Sequence, residues 1–164
     1  MQVNKNLYGF DVNYKTISLL VLLAVLPNLL GMINLPTVWG FKIHIFQVAI
    51  FLAAATLGPL GGAVSGGFGS LYTAMTLGNP YIVVGNIILG VVVGYLVHRG
   101  WDLFPAVLAA WAVQMPWLWV TDVYLAGMPV QVVNTLVIAL LISNMIWAAV
   151  ARVAYKPIQR VIQG

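Results

Sequence analysis

The chain is a succession of apolar runs separated by short polar or turn-forming stretches, and the length of each run sets the expectation for the fold. Met1 to Lys15 is polar, with no basic n-region leading to a cleavage site, and reads as a short tail with an interfacial Tyr8-Gly9-Phe10 anchor. The first span runs from about Thr16 to Ile33. It contains Pro27-Asn28, where a kink is expected because proline removes an intrahelical hydrogen bond. Asn34 to Phe41 (NLPTVWGF) is a turn-rich connection carrying an interfacial tryptophan, Trp39. The second span, about Lys42 to Leu57, is short against the ~20 residues that cross a bilayer, which predicts local thinning or an end buried among neighbours. Gly58-Pro59 turns the chain into a third span ending near Leu77, and Gly78-Asn79-Pro80 is another tight turn. The fourth span covers Tyr81 to Val97 and the fifth Leu103 to Thr121, with Pro105 and Pro116 inside it. The sixth covers Pro129 to Val153, followed by a short basic tail. Six helices in 164 residues leave loops of a few residues each. The expected architecture is therefore a single domain over residues 1–164: an all-α integral membrane protein, a compact bundle of six transmembrane helices.

Gly58 to Ser70 reads GPLGGAVSGGFGS and is the stretch around which the other spans are expected to gather. At helical spacing Ala54, Gly58, Gly62, Gly66 and Ser70 recur every four residues, with Gly61, Ser65 and Gly69 in a second row. Each glycine costs up to ~1 kcal/mol of helix propensity relative to alanine. In a bilayer that cost is offset when other helices press close, because lipid offers no hydrophobic drive and van der Waals contact must join them. A flexible glycine loop would not keep the i, i+4 register or the apolar residues between the glycines. Gly90 and Gly94 form a GxxxG pair in the fourth span. Gly58, Gly62, Gly66, Gly90 and Gly94 together are the candidate helix-packing or coupling face.

Composition supports the membrane reading: 62% of residues are hydrophobic and 6% charged, where a soluble domain carries about a quarter charged. The net charge of +4 would suggest nucleic acid in a soluble protein, but here the cations flank apolar spans and set orientation instead. With the N-terminus inside, Lys5, Lys15, Arg99, Arg152, Lys156 and Arg160 fall on the inner side and Lys42 alone on the outer side. Both termini are thus expected in the cytoplasm of a multi-pass protein. The absence of cysteine excludes disulfides and cysteine metal sites.

In this orientation polar groups gather at the outer ends of the helices, whereas the inner halves hold little beyond Ser143, Asn144 and flanking cations. Polar side chains in hydrocarbon usually face a cavity or a partner, so this distribution points to a small-molecule site with aromatic walls. The candidate ligand-binding residues are Trp39, His44, Gln47, Asn86, Gln114, Trp117, Asp122 and Asn134. His44 and Gln47, one helical turn apart, are expected to share a face; an interfacial place for His44 is the alternative. Asp122, the carboxylate of the outer side, fits a cationic substrate group as well as a solvated loop or a helix cap. Trp117 and Trp119 point to different faces, so at most one stacks on a bound ring, the other joining the interfacial belt. For Asn86, Gln114 and Asn134, interhelical hydrogen bonding competes with ligand contact.

Several chemistries are disfavoured. Two histidines 54 residues apart, with no cysteine or acidic cluster, make a transition-metal site improbable. GPLGGAVSGG lacks the lysine of a phosphate-binding loop. Ser65 has no histidine or carboxylate base in its sequence context, so no enzymatic activity is expected. The aspartates sit at ends or loops, away from the mid-membrane position of a proton-coupled carrier.

The connection WGFKIHIFQ, then LGPLGGAVSGGFGSLYT, then NPYIVVGNIILGVVVG, on six short helices, resembles the substrate-binding S components of energy-coupling factor (ECF) transporters. The similarity is best over the first 100 residues. It implies a protein of the prokaryotic plasma membrane that captures a vitamin or related micronutrient from outside. It also implies docking on a transmembrane coupling subunit driven by two cytoplasmic ATPases, with Asn34 to Phe41 as a lid and no hydrolytic activity of the chain's own. The first helix, ISLLVLLAVLPNLL, departs from the alanine-xxx-alanine pattern frequent in the family: Ala24 has no alanine four residues away. The Met-His terminus of nickel and cobalt members is also missing, which argues against a metal substrate. The alternative expectation is a structural or assembly subunit of a larger membrane complex, without a ligand.

Overall fold

The computed structural model describes residues 12–36 and 42–163. Lys5, the Tyr8-Gly9-Phe10 anchor and Trp39 lie outside them. The described chain is helical apart from one small hairpin: α1 (Tyr14–Gly31), β1 (Asn34–Pro36), β2 (Lys42–His44), α2 (Gln47–Gly69), α3 (Leu71–Leu77), α4 (Tyr81–His98), α5 (Leu103–Val120), a π-helical turn (Thr121–Leu125) and α6 (Val130–Gln163). Among the described residues five helical stretches are long and apolar enough to cross a membrane: Tyr14–Gly31, Gln47–Leu77, Tyr81–His98, Leu103–Leu125 and Val130–Ile162.

Local chemistry explains where α1 starts and what its proline does. The Asn13 side chain accepts from the backbone N–H groups of Lys15 and Thr16, and Thr16 Oγ1 accepts from Asn13 N, a closed capping box. Pro27 lacks the N–H that would have bonded to the Leu23 carbonyl. Ser65 Oγ from α2 donates to that carbonyl instead, at 2.5 Å. Pro27 itself is buried beside Gly69. Asn28 then serves the break between α2 and α3, donating to Phe68 O at 2.8 Å and accepting from Tyr72 N at 2.8 Å.

At Gly58 the backbone of α2 leaves the helix, with φ 72° and ψ −161°. This region of conformational space is open essentially to glycine alone. On one side of the break Ala49 and Ala53 pack with Leu23 of α1, and on the other Ser65 bonds to the Leu23 carbonyl. Gly61 lies against the Ala53 carbonyl. Both halves of α2 therefore stand at the same level of α1, and the chain folds back on itself at Gly58-Pro59. Substituting Gly58→Ala is expected to cost about 1–3 kcal/mol from the backbone alone. Thermal unfolding in detergent checks this, against Gly67→Ala, where no positive φ is required and the new methyl meets only the Ile87 side chain.

The second half of α2 packs against α4 in antiparallel register. Gly58 meets Gly94, Gly62 meets Gly90, and Gly66 meets the backbone of Asn86. With no side chains between them, the two backbones touch, and a methyl group on Gly62, Gly66 or Gly90 would overlap a facing carbonyl. Beside this seam Phe51, Leu89, Val93, Leu103, Val107 and Ala148 form the main core, where α2, α4, α5 and α6 meet.

Three expectations need correction. Lys42 to His44 belongs to a strand paired antiparallel with Asn34–Pro36, and the helix starts only at Gln47. The third span is interrupted at Ser70, leaving the short α3. The basic tail is no appendage: α6 continues through it to Gln163, 34 residues in all. At the far end of α6, Lys15 Nζ from the first turn of α1 donates to the Val161 carbonyl at 3.4 Å, a cation on the unsatisfied last turn of a helix. Arg152 Nε pairs with Asp102 at 3.1 Å. The start of α1, the α4–α5 turn and the end of α6 thus share one end of the bundle.

Candidate functional site

The opposite end carries most of the proposed site residues, and each is fixed by its element. Gly66 opposite Asn86 sets the level of Asn86 on α4, while Gly85 lies beside the Gln114 and Trp117 side chains of α5. Asn86 and Gln114 are both buried, so α4 and α5 hold two neutral amides at one depth. Trp117 donates its indole N–H to the Tyr81 carbonyl at 3.2 Å, tying α5 to the start of α4. Trp119 turns the other way and donates to Asn134 Oδ1 of α6 at 3.0 Å, with its ring edge-on to Tyr124. The two tryptophans do address different helices, and Asn134 lies at an exposed position.

Asp122 stands in the π-helical turn, where the Ala126 N–H bonds to the Thr121 carbonyl and the Met128 N–H to the Asp122 carbonyl. Such one-turn irregularities re-aim side chains. The carboxylate is turned inward, 2% exposed, and accepts from Asn79 Nδ2 at 2.6 Å. The solvated-loop alternative for Asp122 is thereby overturned: burial and the Asn79 amide replace water. Asn79 Oδ1 also accepts from Tyr81 N, so one side chain ties the α3–α4 turn to the end of α5.

A second polar group lies between α2 and α6. Gln47, in the first turn of α2, is 1% exposed, and its Oε1 accepts from Ser143 Oγ at 2.7 Å. Next to Ser143, Asn144 is fully buried. His44 sits at the end of β2, half-buried, with its ring 5.7 Å from that of Phe46. His44 and Gln47 therefore do not share a helical face, because the strand and a turn separate them. Trp39 lies outside the described residues.

Ser143 and Asn144 escaped the list of candidates because the sixth span was expected to end at Val153, which put them in its inner half. The usable signal was a pair of small polar residues inside an otherwise apolar run, LVIALLISNMIWAAV. Ser65, considered as a nucleophile, instead serves the carbonyl freed by Pro27. Among the described residues no three His, Cys, Asp or Glu side chains gather to hold a metal ion. The chemistry on offer is recognition by neutral hydrogen-bonding groups in an apolar frame, with the buried carboxylate already engaged by an amide.

No curated protein and no solved structure matches the chain. Residues 15–163 match the family described as ECF transporter, substrate-specific component, a family of transporter components and not of enzymes. Membership implies association with a transmembrane coupling subunit and ATPases, and a small-molecule substrate. With that match running from the first turn of α1 to the last of α6, over apolar helices that place it in a membrane as a multi-pass protein, the chain belongs to the substrate-specific components of ECF transporters.

Proposed function

We propose that the chain captures a small organic micronutrient, such as a vitamin or related heterocycle, from outside a prokaryotic cell, and delivers it inward with a coupling module. The observation that carries this reading is a set of buried amides on different helices of an apolar bundle: Gln47 on α2, Asn86 on α4 and Gln114 on α5. Neutral polar groups held within an apolar frame suit orientation of a small solute. In the proposed topology the two halves of α2 cross separately, giving six crossings with both termini in the cytoplasm. The fold-back at Gly58 and the contact of Lys15 with Val161 support it, as does the charge asymmetry of the ends.

The coupling subunit is proposed to meet α1. Its outward side exposes Val21, Val25 and Leu29, and a groove of about 370 Å³ runs between α1 and the second half of α2, around Ala24 and Val64. The glycines face one another inside the chain, which leaves them unsuited to a partner helix. That weighs against an assembly subunit built on glycine faces.

The test is ligand binding by the purified full chain after His44→Ala, Gln114→Ala and Asp122→Ala, each made singly. A loss of about tenfold in affinity or more, ~1.4 kcal/mol, is expected for Gln114→Ala. Unchanged affinity in all three variants would remove this site assignment.

A further inference from the structure

Two neighbouring turns of α6 hold polar atoms for which the fold provides no partner. Asn144 is 0% exposed, and neither its Nδ2 nor its Oδ1 has a hydrogen-bond partner. One turn on, the indole Nε1 of Trp147 is also enclosed and unpartnered, while its ring packs on the main core. Among the described residues these are the enclosed side-chain atoms left unpaired. The contrast is local, since the adjacent Ser143 is bonded to Gln47. An amide taken out of water without a new partner destabilises a fold, and a leucine of similar size would carry no such penalty.

We propose that Asn144 and Trp147 recognise the polar edge of a neutral, planar substrate. A ring N–H or amino group of the substrate donates to Asn144 Oδ1, and the neighbouring carbonyl or ring nitrogen accepts from Asn144 Nδ2. A second acceptor takes the Trp147 N–H. The substrate class is a lactam, amide or amino-heterocycle with donor and acceptor on adjoining positions, the same two-point pairing by which asparagine reads a base edge. Neutrality follows from the surroundings: α2, α5 and residues 130–151 of α6 contain no Asp, Glu, Lys, Arg or His. A charged edge would have no counter-ion there, and an unpaired charge is far costlier to enclose than an amide. This inference rests on the substrate-binding reading above and adds the floor of its site, one residue along from the Gln47–Ser143 contact.

The test uses the whole chain purified in detergent as wild type, Asn144→Leu and Trp147→Phe. Small molecules retained by the wild type are identified by mass spectrometry, and the identified compound is titrated back onto each ligand-stripped protein by tryptophan fluorescence. The expected compound is neutral at its polar edge and carries adjacent donor and acceptor. Asn144→Leu is expected to weaken its binding about 100-fold, as a site built around hydrogen bonds does when one side is removed. Trp147→Phe, which keeps an aromatic ring, is expected to weaken it about tenfold. Ligand-stripped Asn144→Leu should melt at or above the temperature of the stripped wild type, since an unpaired amide is lost. Binding equal to wild type in both variants overturns the inference and leaves the receptor reading standing. A clear drop in melting temperature of stripped Asn144→Leu overturns it too, because it shows the amide to be internally paired. A retained compound without a donor–acceptor edge has the same consequence. A wild type that retains no compound overturns both readings.

Discussion

Gly62→Ala is expected to destabilise the bundle by about 3 kcal/mol or more, the upper end of what overpacking a tight interface costs. The reason lies in what the added methyl would meet: the carbonyl and Cα of Gly90, which are backbone and belong to a helix held along its length. A flexible side chain would swing aside, whereas here α2 and α4 must move apart. Thermal unfolding in detergent should show a melting temperature lower by roughly 6–12 °C, and Gly62→Leu should yield little monodisperse protein. Gly67→Ala on the same helix is the control. Its new methyl would meet the Ile87 side chain at 3.2 Å, which can shift by a few tenths of an ångström. Gly62→Ala combined with Gly90→Ala should cost less than the sum of the two, because the first helix displacement already makes room for the second methyl. A Gly62→Ala protein as stable as wild type would show that the two backbones are not in contact.

The second large effect is expected at Asn79. Its amide is the side-chain partner seen for the buried Asp122 carboxylate, at 2.6 Å. Asn79→Leu strands that carboxylate and also removes the acceptor for Tyr81 N at the start of α4. Leaving a buried acceptor without its hydrogen-bond partner costs roughly 1–3 kcal/mol, and more where the acceptor is charged. The melting temperature should fall by about as much as for Gly62→Ala. Asp122→Asn keeps a hydrogen-bonding oxygen facing Asn79 and should be milder. The double variant Asn79→Leu with Asp122→Leu should recover part of the loss, since no polar group is then left alone. Full additivity would mean that the two side chains act independently.

The sequence made the apolar stretches and the reversal at Gly58-Pro59 readable, because both depend on local physics. Hydrophobic run length marks a membrane helix, and a glycine followed by proline has few ways to continue one. Other features were set by contacts between distant parts of the chain. Lys42 to His44 forms a strand because Asn34–Pro36 pairs with it, so the helical spacing of His44 and Gln47 was misleading. The depth of Ser143 and Asn144 depends on the length of α6, which continues past Lys156 and Arg160 with Lys15 on its last turn. At about 1.5 Å per residue those 34 residues span about 51 Å, well beyond a hydrocarbon core of about 30 Å. The partner of Asp122 was equally hidden, since Asn79 lies 43 residues away in a segment read only as a turn.

The glycine contacts between α2 and α4 also bear on movement. Helices joined through side chains can ratchet past one another by exchanging rotamers, but bare backbones have none to exchange. The α2–α4 pair is thus a stiff plank, and a transport cycle must find its compliance elsewhere. One such place in the described chain is the π-helical turn between α5 and α6, which departs from regular α-helical geometry. It sits at the end of the bundle opposite the Lys15–Val161 contact.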